Sequence, residues 1–343
     1  MRAPSPSSKL LVIVGRIVAL ILVVAFAFGA WCAWAVLTPV EPHAPKFVML
    51  RPGYSTRRIA AELKSAGVIR SEQAFILWRY ISHRRSLKAG EYLFDRPANT
   101  IEVQKRLRQG DVYFHTVVIP EGFTMFDIAR AIEAAGLGPA QDFLKAAQSD
   151  TALIADIAPD AGSLEGYLFP DTYQFSRMQN MEEMAAAMVK QFRQVAAQIG
   201  LISISGQPVQ LTVTVASIIE KETAVPEERP LVASVYYNRL AKNIALDADP
   251  SVIYAELLAG TYTGALHHED MRFDSPYNTY LHIGLPPGPI ANPGKSSLEA
   301  AMHPAQSDYY YFVADAAGHH RFAHTLEEHD KNVAAYRRAM RGQ

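Results

Sequence analysis

The chain has 343 residues, a formal net charge of −1 and one cysteine, a length that holds two or three domains with real cores. Its 33 basic and 34 acidic residues form no basic stripe interleaved with aromatics, so nucleic-acid recognition is disfavoured and no nucleic-acid partner is expected. Cys32 lies inside an apolar run; the remainder of the chain therefore forms no internal disulfide and no Cys-based zinc site.

No residue from Ile17 to Leu37 is charged. At about 1.5 Å rise per residue this run crosses a hydrocarbon core of about 30 Å. Arg2, Lys9 and Arg16 precede it, and the next cation is Lys46. The positive-inside bias puts residues 1–16 in the cytoplasm and everything beyond about residue 38 outside. A cleaved signal peptide, the rival reading, has a shorter apolar region and a small-x-small cleavage site. Here the run ends in Trp31, Trp34 and Leu37, residues suited to a membrane interface, so a retained single-pass anchor at 17–37 is expected. Thr38–Pro45 reads as a stiff proline-rich spacer that lifts the next domain off the bilayer.

A weak internal repeat follows. Val48 to Val68, with Gly53, Ser55 and Gly67, matches Val118 to Leu137, with Gly122, Thr124 and Gly136. Each copy reads as strand, glycine turn, Ser or Thr N-cap, amphipathic helix and glycine stop. A helix at about Glu72–Ser82, a strand at Gly90–Phe94 and a helix opened by Thr100 complete the first unit, 46–115. Its strand-helix-helix-strand order is similar to a LysM module, a small glycan-binding fold; a generic α+β packing domain fits the same pattern. The rest, 116–343, is expected to be a mixed α/β catalytic domain that includes the second repeat copy at about 116–138. The fold class is thus α+β behind one transmembrane helix.

Further along, Met181–Ile199 reads as a helix with a polar outer face. In Val213–Thr223 the residues Val215, Ile218, Ile219 and Glu222 share one helix face, with Glu220 beside Ile219 at the end of the apolar run. Desolvation at such an edge disfavours the charged carboxylate, and a carboxyl that keeps its proton near pH 7 is a general acid. The plainer reading is a surface glutamate paired with Lys221 or Arg229. Pro226 opens the next helix, and Asp249-Pro250 reads as N-cap and first residue of a short one. Ser296-x-x-Glu299 and Thr325-x-x-Glu328 read as capping boxes, and Tyr309–Ala314 with His320–Ala323 as a hairpin. Gly284–Gly294 carries four prolines and three glycines. It is neither helix nor central strand, and its Leu285 and Ile290 make it an ordered loop rather than a linker.

Ala216–Thr223, Val235–Leu240, Asp249–Tyr254, Tyr277–Tyr280, Gly284–Gly294, Tyr311–Ala314 and Leu164–Tyr173 stand in the order seen in the endolytic murein transglycosylase family, which this chain resembles from anchor to C-terminus. The resemblance implies an inner-membrane lyase that cuts nascent peptidoglycan strands internally between N-acetylmuramic acid and N-acetylglucosamine and so ends their elongation. It implies Glu220 as the catalytic residue, glycan strands as substrate, synthases as companions, and no metal or cofactor. One departure stands out: Leu246-Asp247-Ala248 lacks the longer polar side chain expected just before Asp249.

Asp249, Asp247, Tyr277, Asn278 and Asn292 are candidate substrate contacts, with helix capping or loop anchoring as their plainer roles. Glu222, two residues from Glu220, points away from it on a helix and is not its partner. The C-terminal histidines show no zinc-ligand spacing, and there is no Gly-x-Ser-x-Gly elbow. Two other readings stay open: a hydrolase on the same substrate with Asp247 or Asp249 as second carboxylate, and a non-catalytic glycan-binding scaffold.

Overall fold

The structure is a computed structural model that describes residues 6–82, 86–202 and 209–341. It divides into two compact units. Unit 1 is residues 1–114 with 176–178; unit 2 is 115–175 with 179–343.

Unit 1 opens with α1 (Pro6–Leu37), an apolar helix that extends well upstream of the span read from the sequence. Its 28-residue stretch Leu10–Leu37 is long and apolar enough to cross a membrane. The first five residues of the expected cytoplasmic segment lie outside the described residues. Strand β1 (Lys46–Leu50) follows, then α2 (Thr56–Ser65), α3 (Glu72–Ile81), β2 (Gly90–Phe94) and α4 (Thr100–Gln109). β1 and β2 pair antiparallel, Val48 opposite Tyr92. The strands turn Val48, Leu50, Tyr92 and Phe94 onto Ile59, Leu63, Phe75, Val103 and Leu107 from the helices. Ser55, Ser71 and Asn99 cap the three helices, each side chain accepting a backbone N–H of the first turn.

The segment 38–45 is hydrogen-bonded to the rest of unit 1. Val40 and Ala98 exchange both backbone hydrogen bonds, and Arg70 donates to the carbonyls of Thr38 and Pro39. Prolines leave few N–H groups here, but carbonyls remain, and unit 1 uses them.

Unit 2 begins with β3 (His115–Val118), α5 (Met125–Ala134), α6 (Ala140–Ser149) and β4 (Thr172–Phe175), and β3 pairs antiparallel with β4. The repeat therefore runs further than its sequence signal. Strand, two helices and antiparallel strand recur in full, the return strand in the second copy lying beyond a long aromatic turn. Next come α7 (Met181–Gln198), α8 (Val209–Glu222), α9 (Arg229–Ala241), α10 (Asp249–Ala259) and α11 (Lys295–Met302). A hairpin of β5 (Tyr311–Ala314) and β6 (His320–Ala323) and the final helix α12 (Leu326–Arg341) end the chain.

α8 is central, not amphipathic. Every residue from Thr212 to Ile219 is buried, against α9, α10 and α11, so the single apolar face inferred from spacing is one side of a helix covered all round. Loop 284–294 is ordered on it. Ser217 Oγ accepts the Ile290 N–H at 3.0 Å, and Gln210 donates to the Pro287 carbonyl. Gly166, at φ +88°, lies so close that an added Cβ would sit 2.5 Å from Pro289 and 2.8 Å from Val213; only glycine fits.

Two caps differ from expectation. α11 starts at Lys295 with Gly294 as N-cap, so Ser296 is already inside the helix. Ala248 is the N-cap of α10, which leaves the Asp249 side chain free for another partner.

Candidate active site

Two carboxylates close the C-terminal end of α8. Residues two apart on a helix lie about 200° apart around its axis, so Glu220 and Glu222 leave the buried segment in opposite directions.

Glu220 turns inward; its side chain is 6 % exposed. Arg229 Nη2, at the start of α9, donates to Oε1 at 3.0 Å, and the Gly294 N–H donates to Oε2 at 3.0 Å. Arg229 also stands 3.8 Å from Glu121. Glu121 has its pKa raised, by burial first and by the Glu220 charge second, with Arg229 opposing. Lys221 donates to the Gly122 carbonyl. The apolar setting expected for Glu220 is thus corrected to a polar one: both of its oxygens are held by protein donors, and it is not among the residues lining the cleft that Glu222 faces.

Glu222 turns the other way, into a cleft of about 550 Å³. Its floor and walls carry Tyr236 and Arg239 of α9, Asp247 and Asp249 before and at the start of α10, and Tyr280, with Phe312 and His320 among the hairpin residues that face them. The Tyr236 hydroxyl donates to Glu222 Oε1 at 2.8 Å. Burial raises the Glu222 pKa to about 7, the Tyr236 hydrogen bond and Arg239 pull it down, and the Asp249 charge pushes it up.

Arg239 holds the cleft's shape. Its guanidinium donates to the carbonyls of Tyr310, Ala245 and Leu246 and pairs with Asp247 at 2.9 Å, and it lies over the Tyr311 ring. Asp247 sits at φ +51°, a left-handed conformation that Asp tolerates better than most residues. From there its short side chain reaches Arg239. Asp249 Oδ1 accepts the Tyr280 hydroxyl at 2.5 Å, and burial followed by the Asp249 contact pushes that phenol's pKa up. On the hairpin side, His320 Nδ1 lies 2.7 Å from Glu228, which also accepts the His320 N–H and faces His319 Nδ1 at 3.0 Å. Burial raises the Glu228 carboxyl, yet these hydrogen bonds outweigh it and hold the carboxyl below its usual range.

Of the residues singled out from sequence, Asp247 and Asp249 line this cleft. Asn278 and Asn292 are fully buried and serve as anchors. Asn278 Nδ2 donates to the Met271 and Phe273 carbonyls. Asn292 Oδ1 takes the N–H groups of Gly166 and Leu168, and its Nδ2 donates to Phe123 and Glu165. The substrate contacts considered for both are corrected accordingly: a buried amide has spent its hydrogen bonds on the fold. Tyr277 packs on Tyr254 and is not among the residues lining the cleft. Tyr236, Arg239 and Tyr280 were not singled out, Glu222 was set aside as a partner of Glu220, and His320 was weighed only among the C-terminal histidines as a zinc ligand. The signal available for Glu222 was its 200° offset from Glu220, which separates the pair but does not say which one meets solvent.

The YceG-like family matches residues 48–335. The chain belongs to that family. It is 34 % identical over 330 residues to a protein of Bacillus subtilis (strain 168) named endolytic murein transglycosylase, covering 91 % of this chain and 90 % of that one. A Streptococcus pneumoniae (serotype 2, strain D39) protein of the same name is 30 % identical over 334 residues; the match covers 88 % of this chain but 60 % of that longer one. A 2.6 Å crystal structure of a YceG-like protein from Listeria monocytogenes matches with a TM-score of 0.57 and 35 % identity, over 84 % of this chain and 98 % of that one.

Proposed function

We propose that this YceG-like protein is an endolytic murein transglycosylase, a lyase on peptidoglycan glycan strands, and that Glu222 is its general acid. The observation that carries the assignment is the placement of Glu222: a partly buried carboxyl, pKa raised to about 7, facing a polar cleft beside Tyr236 and Arg239. Glu220 is then a positioning residue that fixes the end of α8 through Arg229 and Gly294.

The chemistry needs one carboxyl. Glu222 protonates the oxygen that leaves the N-acetylmuramic acid anomeric carbon as positive charge develops on the ring. Once ionised, the same carboxylate accepts the proton of the muramic 6-hydroxyl, whose oxygen closes on the anomeric carbon to give a 1,6-anhydro end. The nucleophile belongs to the substrate, so its high effective concentration replaces a second catalytic group. A pKa near neutrality suits both halves of the cycle.

In this reading α1 is a retained inner-membrane anchor, with its N-terminus cytoplasmic by the positive-inside bias and everything beyond about residue 38 on the outer side. Residues 46–115, nearly all within unit 1, are a LysM-like glycan-binding subdomain, the catalytic domain is 116–343, and peptidoglycan synthases are the expected companions in terminating strands.

A hydrolase remains the second reading, favoured by Asp247 and Asp249, which share the cleft with Glu222. Their commitments to Arg239 and Tyr280 weigh against a nucleophile or water-activating role. Mass spectrometry of products from purified glycan strands tests the choice. Anhydromuramic ends made by the native protein and absent with Glu222→Gln are expected; reducing ends overturn the transglycosylase reading.

A further inference from the structure

The rest of unit 1 is fastened to the end of α1 at several points. Ala35 and Val36 are buried against Ala74 of α3, with Trp78 and Ile101 packed around them. The Thr100 hydroxyl donates to the Ala35 carbonyl. Arg70 lies over the Trp34 ring at 5.0 Å while donating to the chain just beyond the helix. α3 therefore crosses the last turns of α1 and cannot swing away without breaking this packing.

That position fixes a depth. Counting about 20 helical residues from the last cation before the apolar run, Arg16, a hydrocarbon core of about 30 Å ends near Val36. α3 thus sits at the level of the outer interface, beside Trp31 and Trp34, whose ring systems favour that zone.

The outward side of α3 is apolar in its C-terminal half, beyond the exposed Gln73. Leu77, Tyr80 and Ile81 stand at i, i+3 and i+4 and are 39 %, 67 % and 59 % exposed. The neighbouring helix α2 exposes Arg57, Arg58, Lys64 and Ser65 instead, as a water-facing helix does. A contiguous apolar stripe on an otherwise polar surface marks an interaction site. Here its continuity with the interfacial end of the apolar helix identifies the occupant.

We propose that Leu77, Tyr80 and Ile81 form an interfacial foot that inserts into the outer leaflet of the membrane crossed by α1, seating unit 1 flat on the bilayer surface. The proposal rests on the reading of α1 as a retained anchor. Its consequence is that the expected glycan-binding subdomain is held at the membrane surface, not on a flexible stalk.

The test uses the full chain with Cys32→Ser and one of Leu77→Cys, Tyr80→Cys or Ile81→Cys, or Lys64→Cys as control, labelled with an environment-sensitive fluorophore. Each is reconstituted into phosphatidylethanolamine–phosphatidylglycerol vesicles with and without a lipid-borne quencher placed shallow in the acyl chains. Loss of at least half the emission at 77, 80 and 81, with little change at 64, is expected. Equal, water-like emission at all four sites overturns the proposal. So does quenching-resistant burial that appears only when a membrane protein partner is added, because the stripe then faces protein. Alkaline extraction of the same vesicles separates the two claims. A chain that stays with the lipid while position 80 remains unquenched loses the foot and keeps the anchor; a chain released by alkali loses both.

Discussion

Glu220 and Glu222 are the same residue type, two positions apart on one helix, in opposite circumstances. Glu220 meets a guanidinium and a helix N-terminal amide, and every oxygen is engaged. Glu222 meets one phenol and an open cleft, so burial dominates and its carboxyl is pushed up to about 7. Reactivity follows from what the surroundings leave undone. A carboxylate fully satisfied by the fold holds structure together, whereas one partly deprived of solvent and partners has a proton to give.

Exchanging the two roles is the strongest way to break this comparison. Glu222→Gln should lower anhydromuramic product formation by roughly a thousandfold or more, the scale on which a general acid contributes, with the circular dichroism spectrum unchanged. Glu220→Gln should retain measurable turnover. If product analysis shows the reverse ranking, the acid is Glu220 and the cleft assignment fails.

Stability should rank the pair the other way. Glu220→Ala leaves Arg229 buried without its main partner, a loss on the order of 3 kcal/mol for a broken buried pair, read as a lower urea midpoint. Glu222→Gln should stabilise at alkaline pH. Its raised folded pKa favours the native state fully below the ordinary value of 4.5, and that contribution is lost as pH rises through about 7. Glutamine has no proton to lose, so the midpoint difference between Glu222→Gln and the native chain should grow from pH 5 to pH 8.

Two smaller effects sharpen the electrostatics of the cleft. The Tyr236 hydroxyl lowers the Glu222 pKa, so Tyr236→Phe should move the alkaline limb of the pH–rate profile upward. The Asp249 charge raises it, so Asp249→Asn should move that limb downward. Each shift should be about one unit or less, readable from initial rates between pH 6 and 9; shifts in the opposite directions would contradict Glu222 as the titrating acid.

Much of this arrangement was legible in the residues. Local chemistry set the strand-helix units through Ser55 and Thr124 as caps and glycines as stops, and the hairpin through its alternation. The Pro-Gly loop had to be ordered because Leu285 and Ile290 gave it something to pack against. These are signals within a few residues, where propensity and capping act.

Sequence alone determined that an acidic pair ends an apolar helix, that a long uncharged run opens the chain, and that a proline-rich loop is fixed in shape. Only tertiary structure decided which acid faces the cleft. That choice depends on Arg229, Gly294 and Tyr236, groups that reach α8 from up to 74 residues away along the chain, and on the hairpin further still. It likewise decided that Asn278 and Asn292 anchor loops and that residues 38–45 are bound to unit 1, because a side chain's hydrogen-bond partners are set by packing, not by its neighbours in sequence.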